Sequence, residues 1–339
     1  MSSAKPLLVV LGATGNQGGS VIAHFLSVSP SSYALRAVTR DPSSAKATSL
    51  ASQGVEVVVG DFDDPKSLDK AFDGASIIFA ATDFVQLMLS ASLRERAAAT
   101  GEPPGFYIRD YEAQQNKNII DAAAKVTTLD RFIFSGLPNV NKLSEGKYAH
   151  VYYCDSKALA EEYGKAKYPQ LWEKTSVFYA GFFLENLIGE DGAFRPTLNK
   201  SKDTLIAQKG EPLTTVLFPW YSAVQDTGPF VAALIHAAPG QKLLGVNQWL
   251  SLQDIYKIMA HTMGKAIRFV DSTPTISIGD PEFQRAHKGL IGFSVEFGYD
   301  GSKVDKTVLR PEELNKSIRL PSVEDWIKQQ DWDNILQCE

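Results

Sequence analysis

Tyr153 and Lys157 stand four residues apart in the run Tyr152-Tyr-Cys-Asp-Ser-Lys, a spacing that puts both side chains on one face of a helix. A phenol with its ordinary pKa of about 10 is a poor acid or base at neutral pH, and a neighbouring ammonium favours its ionised form and lowers that value. The expected chemistry is reduction of a carbonyl. Lys157 hydrogen-bonds a nicotinamide ribose, and Tyr153 gives its proton to the carbonyl oxygen as hydride reaches the carbon. Spacing alone does not single out this pair, because Tyr163/Lys167 and Tyr299/Lys303 share it. Position does. Only Tyr153 and Lys157 open the helix after the fifth strand, 18 residues beyond Ser135, which ends that strand and is the candidate third catalytic member. Cys154 lies between the two on another helix face and reads as a buried structural thiol.

Hydride chemistry needs a dinucleotide, and the first strand runs into Gly12-Ala-Thr-Gly-Asn-Gln-Gly. Gly12, Gly15 and Gly18 there have separate jobs: a tight turn, close approach of backbone to a pyrophosphate, and packing of helix on strand. With Thr14, Asn16 and Gln17 they present amides at a helix N-terminus, which suits an anion. At the end of the second strand, where an acidic residue would hold the ribose 2′-hydroxyl of NAD, the chain reads Val38-Thr-Arg-Asp-Pro. Arg40, preceded by Thr39, suits a 2′-phosphate, so NADP(H) is expected over NAD(H), while the adjacent Asp41 keeps NAD open. Asp61 and Phe62 end the third strand, where adenine would lie, and Thr82 and Asp83 leave the fourth beside the ribose. Each could equally be a polar residue that terminates a strand.

The elements that must carry these residues alternate. Strands are expected at Leu7–Leu11, Tyr33–Thr39, Val55–Val59, Ala75–Ala81 and Arg131–Ser135. Helices are expected at Gly18–Val28, Pro42–Gln53, Pro65–Phe72, Tyr111–Lys125 and His150–Lys167. This rhythm implies an α/β fold, a Rossmann-type doubly wound parallel sheet with right-handed crossovers. Asp83–Ile108, with Gly101, Pro103, Pro104 and Gly105, is expected as a surface loop with some helix. Beyond about Thr175 the alternation loosens, and a smaller C-terminal substrate lobe is expected from 178–225 and 263–339. Residues 1–177, completed by about 226–262, would form the dinucleotide core. Tyr179, Phe182, Phe183 and Asn186 follow the sixth strand, and Phe218, Trp220 and Tyr221 add further rings. They suggest a pocket for a hydrophobic, aromatic carbonyl or enone, or else the core of the lobe.

Bulk composition narrows the class. The 339 residues are 44% hydrophobic and 22% charged, with a net charge of -5, which suits a globular protein and argues against a surface built on phosphate neutralisation. Two cysteines without metal-ligand spacing point to a reducing compartment, and no metal is expected. With no apolar run that spans a bilayer and no leader pattern in Met1–Pro6, a cytoplasmic protein without membrane contact is the expectation.

Several of these runs, in this order, resemble the NmrA-like group of atypical short-chain dehydrogenases. They are the glycine loop, Val38-Thr-Arg-Asp-Pro, Gly60-Asp-Phe-Asp-Asp-Pro, Phe132-Ile-Phe-Ser-Gly, Asp155-Ser-Lys, Gly181-Phe-Phe-Leu-Glu-Asn and Val295-Glu-Phe-Gly-Tyr, and they cover nearly the whole chain. The resemblance implies a Rossmann core, NADP(H) binding and a C-terminal lobe over the nicotinamide. It also implies a divided function, since some members are reductases and others are regulators that bind dinucleotide and a protein partner. Regulator-like members carry histidine where this chain has Tyr153, which favours a reductase. The lysine that follows the strand-two arginine in cofactor-sensing members is replaced by Ser43 and Ser44, with Lys46 slightly later. In related enzymes the catalytic serine can sit one or two residues later, where Gly136 and Leu137 stand here. Three readings follow: an NADPH-dependent reductase of a small carbonyl or enone, a non-catalytic dinucleotide-sensing regulator, and a reductase of the isoflavone-reductase kind in which lysine serves without tyrosine.

Overall fold

The computed structural model describes residues 5–28, 32–189, 194–272 and 280–338. Residues 1–4 of the N-terminal run and 190–193 of the aromatic segment after the sixth strand lie outside them.

Strand β1 (Leu7–Leu11) is a continuous apolar run whose Leu8, Val9, Val10 and Leu11 are fully buried, as the centre of a sheet covered on both faces requires. Helix α1 (Asn16–Ser27) buries Val21, Ile22 and Phe25 against it. Next come β2 (Ala34–Thr39), α2 (Ala45–Ser52), β3 (Glu56–Val59), α3 (Pro65–Ala71) and β4 (Ile77–Ala80). Asp64 caps α3, and Pro65 occupies its first position, where a missing N–H costs nothing.

The expected loop at Asp83–Ile108 is instead helical. It forms α4 (Phe84–Leu89), α5 (Ala91–Thr100) and the start of α6 (Pro104–Ala123). The residues that read as loop signals are caps. Asp83 and Ser90 cap α4 and α5, Gly101 closes α5 at φ 72, and Pro104 opens α6 seven residues before the expected start at Tyr111.

Strand β5 (Arg131–Gly136), the short α7 (Val140–Leu143), α8 (Tyr152–Lys167) and α9 (Pro169–Trp172) lead to β6 (Thr175–Tyr179). Then follow β7 (Phe182–Phe183), β8 (Thr197–Leu198), β9 (Thr204–Gln208), β10 (Phe218–Tyr221), α10 (Thr227–His236), β11 (Lys242–Leu244) and β12 (Gln248–Leu250). The chain continues through α11 (Leu252–Thr262), β13 (Ala266–Val270), α12 (Pro281–Phe297) and β14 (Val308–Leu309).

Eight strands form one sheet in the order β14-β11-β6-β5-β4-β1-β2-β3. Every neighbouring pair in it is parallel. The strand order reverses between β1 and β4, so a crevice opens at their carboxyl ends, where open α/β sheets bind ligands. Two three-stranded sheets, β12-β10-β7 and β13-β9-β8, lie in the later part of the chain. The main sheet reaches into that part too, taking β11 and β14 as its last strands. Helix α10 packs on α1, where Gly228 approaches Ser20 so closely that a Cβ would lie 2.5 Å from the Ser20 carbonyl oxygen. Among the described residues no helix is long and apolar enough to cross a membrane.

Candidate active site

The glycine loop sits at the β1/β4 crevice. Gly12 has φ 63, a left-handed conformation natural to glycine, and its carbonyl accepts from the Gly15 amide at 2.9 Å. A Cβ on Gly12 would lie 3.2 Å from the Ala81 carbonyl oxygen at the end of β4. At Gly18 a Cβ would lie 2.3 Å from the Gly12 carbonyl oxygen, a contact that backbone cannot yield to. Gly15 and Asn16 are exposed, Thr14 and Gln17 partly so. Gly15 is the N-cap of helix α1, which has no side-chain cap and no acidic residue in its first turn. Its opening amides have no acceptor within the helix and lie at the positive end of its dipole, and this cradle fits a diphosphate.

The end of β2 completes this side. Arg40 is exposed, and the Asp41 carboxylate turns back on its own loop, accepting from the Ser43 amide at 2.9 Å and the Ser43 hydroxyl at 2.5 Å. The Thr39 hydroxyl also serves this turn, accepting from the Asp41 amide at 3.3 Å. Lys46 reaches back from α2 to the Thr14 carbonyl at 3.0 Å, so a second cation stands at the loop that Ser43 and Ser44 do not supply.

Asp61 accepts from the Asp63 amide at 3.0 Å, and the Phe62 ring packs on the core while its carbonyl accepts from Asn118 at 2.8 Å. Asp83 caps α4 through the Gln86 amide at 3.1 Å.

Thr82 faces inward, into a network that the sequence did not disclose. Its hydroxyl donates to Glu112 Oε1 at 2.7 Å, and Asn116 Nδ2 donates to the Thr82 hydroxyl at 3.1 Å. Lys157 Nζ donates to the same Glu112 oxygen at 2.7 Å, and the Ser156 hydroxyl donates to Glu112 Oε2. Glu112 is fully buried and Lys157 is 7% exposed. Two helices create this pair: Glu112 and Asn116 lie one turn apart on α6, which packs along α8. The trace of it in the sequence is Glu112 and Asn116 at i and i+4 on the buried face of α6, beside the buried Gln115.

Tyr153 opens α8 beside this network, its ring edge-on to Phe84 (centroids 6.0 Å apart) and near Phe283 of α12 (6.3 Å). The expected lowering of its pKa by Lys157 does not occur. Burial holds the Tyr153 hydroxyl well above the usual phenol range, reinforced by Cys154, Tyr299 and Asp155, while the Lys157 charge is engaged by Glu112. Tyr153 therefore stays neutral through physiological pH. Ser135 is buried at the end of β5, and its hydroxyl donates to Gln17 Oε1 at 2.7 Å, tying the glycine loop to that strand.

Asp155, two residues on from Tyr153, is buried and accepts from the Asn141 amide at 3.0 Å, while its Oδ2 has no partner. Burial raises its pKa to about 7, against the opposing effects of the hydrogen bond from Asn141 and the charge of Arg109. The folded protein thus holds a proton that the unfolded chain releases near pH 4. Stability from this group is present below that value and is lost as pH rises through about 7. Urea unfolding at pH 5 and pH 8 should show the wild type losing about 1.4 kcal/mol per pH unit over part of this interval, and Asp155→Asn should remove most of that slope. An unchanged slope in the variant would place the proton elsewhere.

The aromatic candidates separate. Tyr179 is buried on β6 beneath Lys242, and Trp220 is fully buried with its indole N–H donating to the Leu250 carbonyl at 2.9 Å. Phe182 lies among Phe218, Trp220, Phe194 and His287. Phe183 is partly exposed against Tyr221, and Asn186 is exposed. The sequence reading missed Phe84, Phe283 and His287, which bring α4 and α12 to this side of the site.

The sequence pattern of the NmrA-like family matches residues 4–279. The chain belongs to the NmrA-like family. An NmrA-like family domain-containing oxidoreductase of Penicillium ochrochloron is 27% identical over 349 aligned residues, covering 96% of this chain and 98% of that protein. Another such oxidoreductase, from Malbranchea aurantiaca, is 25% identical and covers 99% of each chain. Among solved structures, NmrA, a negative transcriptional regulator in complex with NAD, matches with a TM-score of 0.71 at 19% identity, covering 98% of this chain and 97% of that one. A triphenylmethane reductase of Citrobacter sp. complexed with NADP(H) matches at 0.62 and 17% identity, covering 96% and 99%. These structural likenesses establish the NmrA-like fold, with its Rossmann-type parallel sheet.

Proposed function

We propose that this NmrA-like protein is an NADPH-dependent oxidoreductase that reduces a small hydrophobic or aromatic carbonyl or enone. The observation that carries the reading is a diphosphate cradle at the β1/β4 crevice beside a neutral, desolvated Tyr153 at the start of α8. The oxidoreductase names of the full-length relatives support it. When bound, NADPH supplies the hydride. The amides of Asn16, Gln17 and Gly18 would hold its diphosphate, and Arg40 and Lys46 its 2′-phosphate. Lys157 holds a fixed positive charge near the ribose position, oriented by Glu112. Tyr153 Oη gives its proton to the substrate oxygen as the alkoxide or enolate charge develops there, a base strong enough to take it from a phenol that burial has made a weaker acid. The segment around Phe182 and helix α12 would flank this end of the site.

Following NADPH absorbance with a panel of aromatic aldehydes and enones tests the reading, and at least one should consume NADPH. Persistent absence of consumption, with dinucleotide bound, would favour the second reading, a dinucleotide-sensing regulator with a protein partner. That reading is favoured by the closed Lys157–Glu112 network, which leaves the ammonium already paired.

The 2′-phosphate assignment makes its own prediction. Arg40→Asp should weaken NADPH about 10- to 100-fold, the loss of a charge-assisted contact, and leave NADH nearly unchanged. Calorimetric titration with each dinucleotide checks it, and equal weakening of both would remove Arg40 from the 2′-phosphate.

A further inference from the structure

Helix α12 contributes Phe283 and His287 from one face, a single turn apart. The Phe283 ring lies against Tyr153, and the His287 ring lies 5.4 Å from Phe194 and 6.5 Å from Phe182. His287 is 8% exposed, and its Nε2 is enclosed without a hydrogen-bond partner. Burial lowers its pKa to about 4, so the ring is neutral at physiological pH. Native interiors seldom keep an unpartnered polar atom, and a phenylalanine would fill this aromatic surrounding without the cost of one.

We propose that His287 is a specificity-determining residue of the substrate pocket, its Nε2 hydrogen-bonding a hydroxyl group on an aromatic substrate. The inference rests on the placement of the substrate beside Tyr153 set out above. A hydroxyl is the group that fits. The neutral ring presents either an N–H or a lone pair at Nε2, and a hydroxyl can accept from the first or donate to the second. A carboxylate would bring an unpaired charge into this buried aromatic surrounding, which desolvation opposes. Phe283 and His287 stand one turn of α12 apart, a rise of about 5.4 Å. A substrate ring lying along α12 between these two residues would turn its reacting end toward Tyr153, which Phe283 touches, and a para hydroxyl toward His287.

Binding of benzylideneacetone and 4-hydroxybenzylideneacetone to the full chain with NADPH tests this by calorimetry. The wild type should bind the hydroxylated probe about tenfold tighter, as one buried hydrogen bond allows. His287→Phe, which keeps the aromatic wall, should bring the ratio close to one, and His287→Gln, which keeps a polar partner, should restore part of it. A merely structural histidine would change stability and leave the ratio alone. Equal binding of the two probes by the wild type, a preference that survives in His287→Phe, or no binding of either probe would overturn the proposal. NADPH consumption, scored separately, bears on the reductase reading and not on this ratio.

Discussion

Replacing Tyr153 by phenylalanine is expected to cut turnover by at least about 100-fold, the usual contribution of a positioned general acid, with dinucleotide affinity unchanged. The variant keeps the ring against Phe84 and Phe283 and removes only the hydroxyl. Its packing contribution should therefore survive, and unfolding should show little loss. Steady-state kinetics with the best carbonyl of the panel, beside an NADPH titration, separate the two effects. Near-normal turnover would transfer the chemistry to Lys157 alone, as in a reductase of the isoflavone-reductase kind. The raised phenol pKa adds a second mark. The donor stays protonated through neutral pH, so Tyr153 imposes no loss of rate below the ordinary tyrosine range.

Glu112→Gln is expected to destabilise the chain by about 3–5 kcal/mol, because it leaves the Lys157 ammonium buried without a counter-charge. The amide is nearly isosteric, so the loss comes from charge and not from a cavity. Lys157→Met should be costly for the reciprocal reason, since it strands the Glu112 carboxylate. The double variant Glu112→Gln/Lys157→Met should recover much of both losses, the non-additivity expected of two groups in direct contact. Urea unfolding of the four proteins closes this cycle. Additive losses would mean that the two groups do not act as a pair, and that Lys157 is positioned by something other than Glu112.

Local signals in the chain carried most of the core. A buried apolar strand, a glycine turn and a helix are decided within a few residues, so β1, Gly12 to Gly18 and α1 were legible. Asp83–Ile108 misled because glycine and proline mark helix ends as well as loops. Gly101 and Pro104 became a C-terminal cap and a first-turn residue. Glu112 was hidden because its importance depends on α6 lying along α8, a contact between residues 45 positions apart that no local pattern encodes. The pKa of Tyr153 went the other way from expectation for the same reason. The sequence shows a lysine one turn away, but not the carboxylate that engages it. The aromatic residues are ambiguous in kind. Trp220 and Phe183 each sit in a short aromatic segment, yet one is enclosed and the other partly open, and only packing tells them apart.

Everything proposed for this site requires a dinucleotide diphosphate on the Gly12–Gly18 loop. Calorimetric titration of NADPH into the full chain, wild type beside Gly18→Ala, tests that most directly. The wild type should bind one equivalent, while the variant, whose added Cβ meets the Gly12 carbonyl oxygen at 2.3 Å, should lose at least about 100-fold in affinity while remaining folded. Absence of uptake of either NADPH or NADH by the wild type, or equal affinity in the variant, would contradict the account.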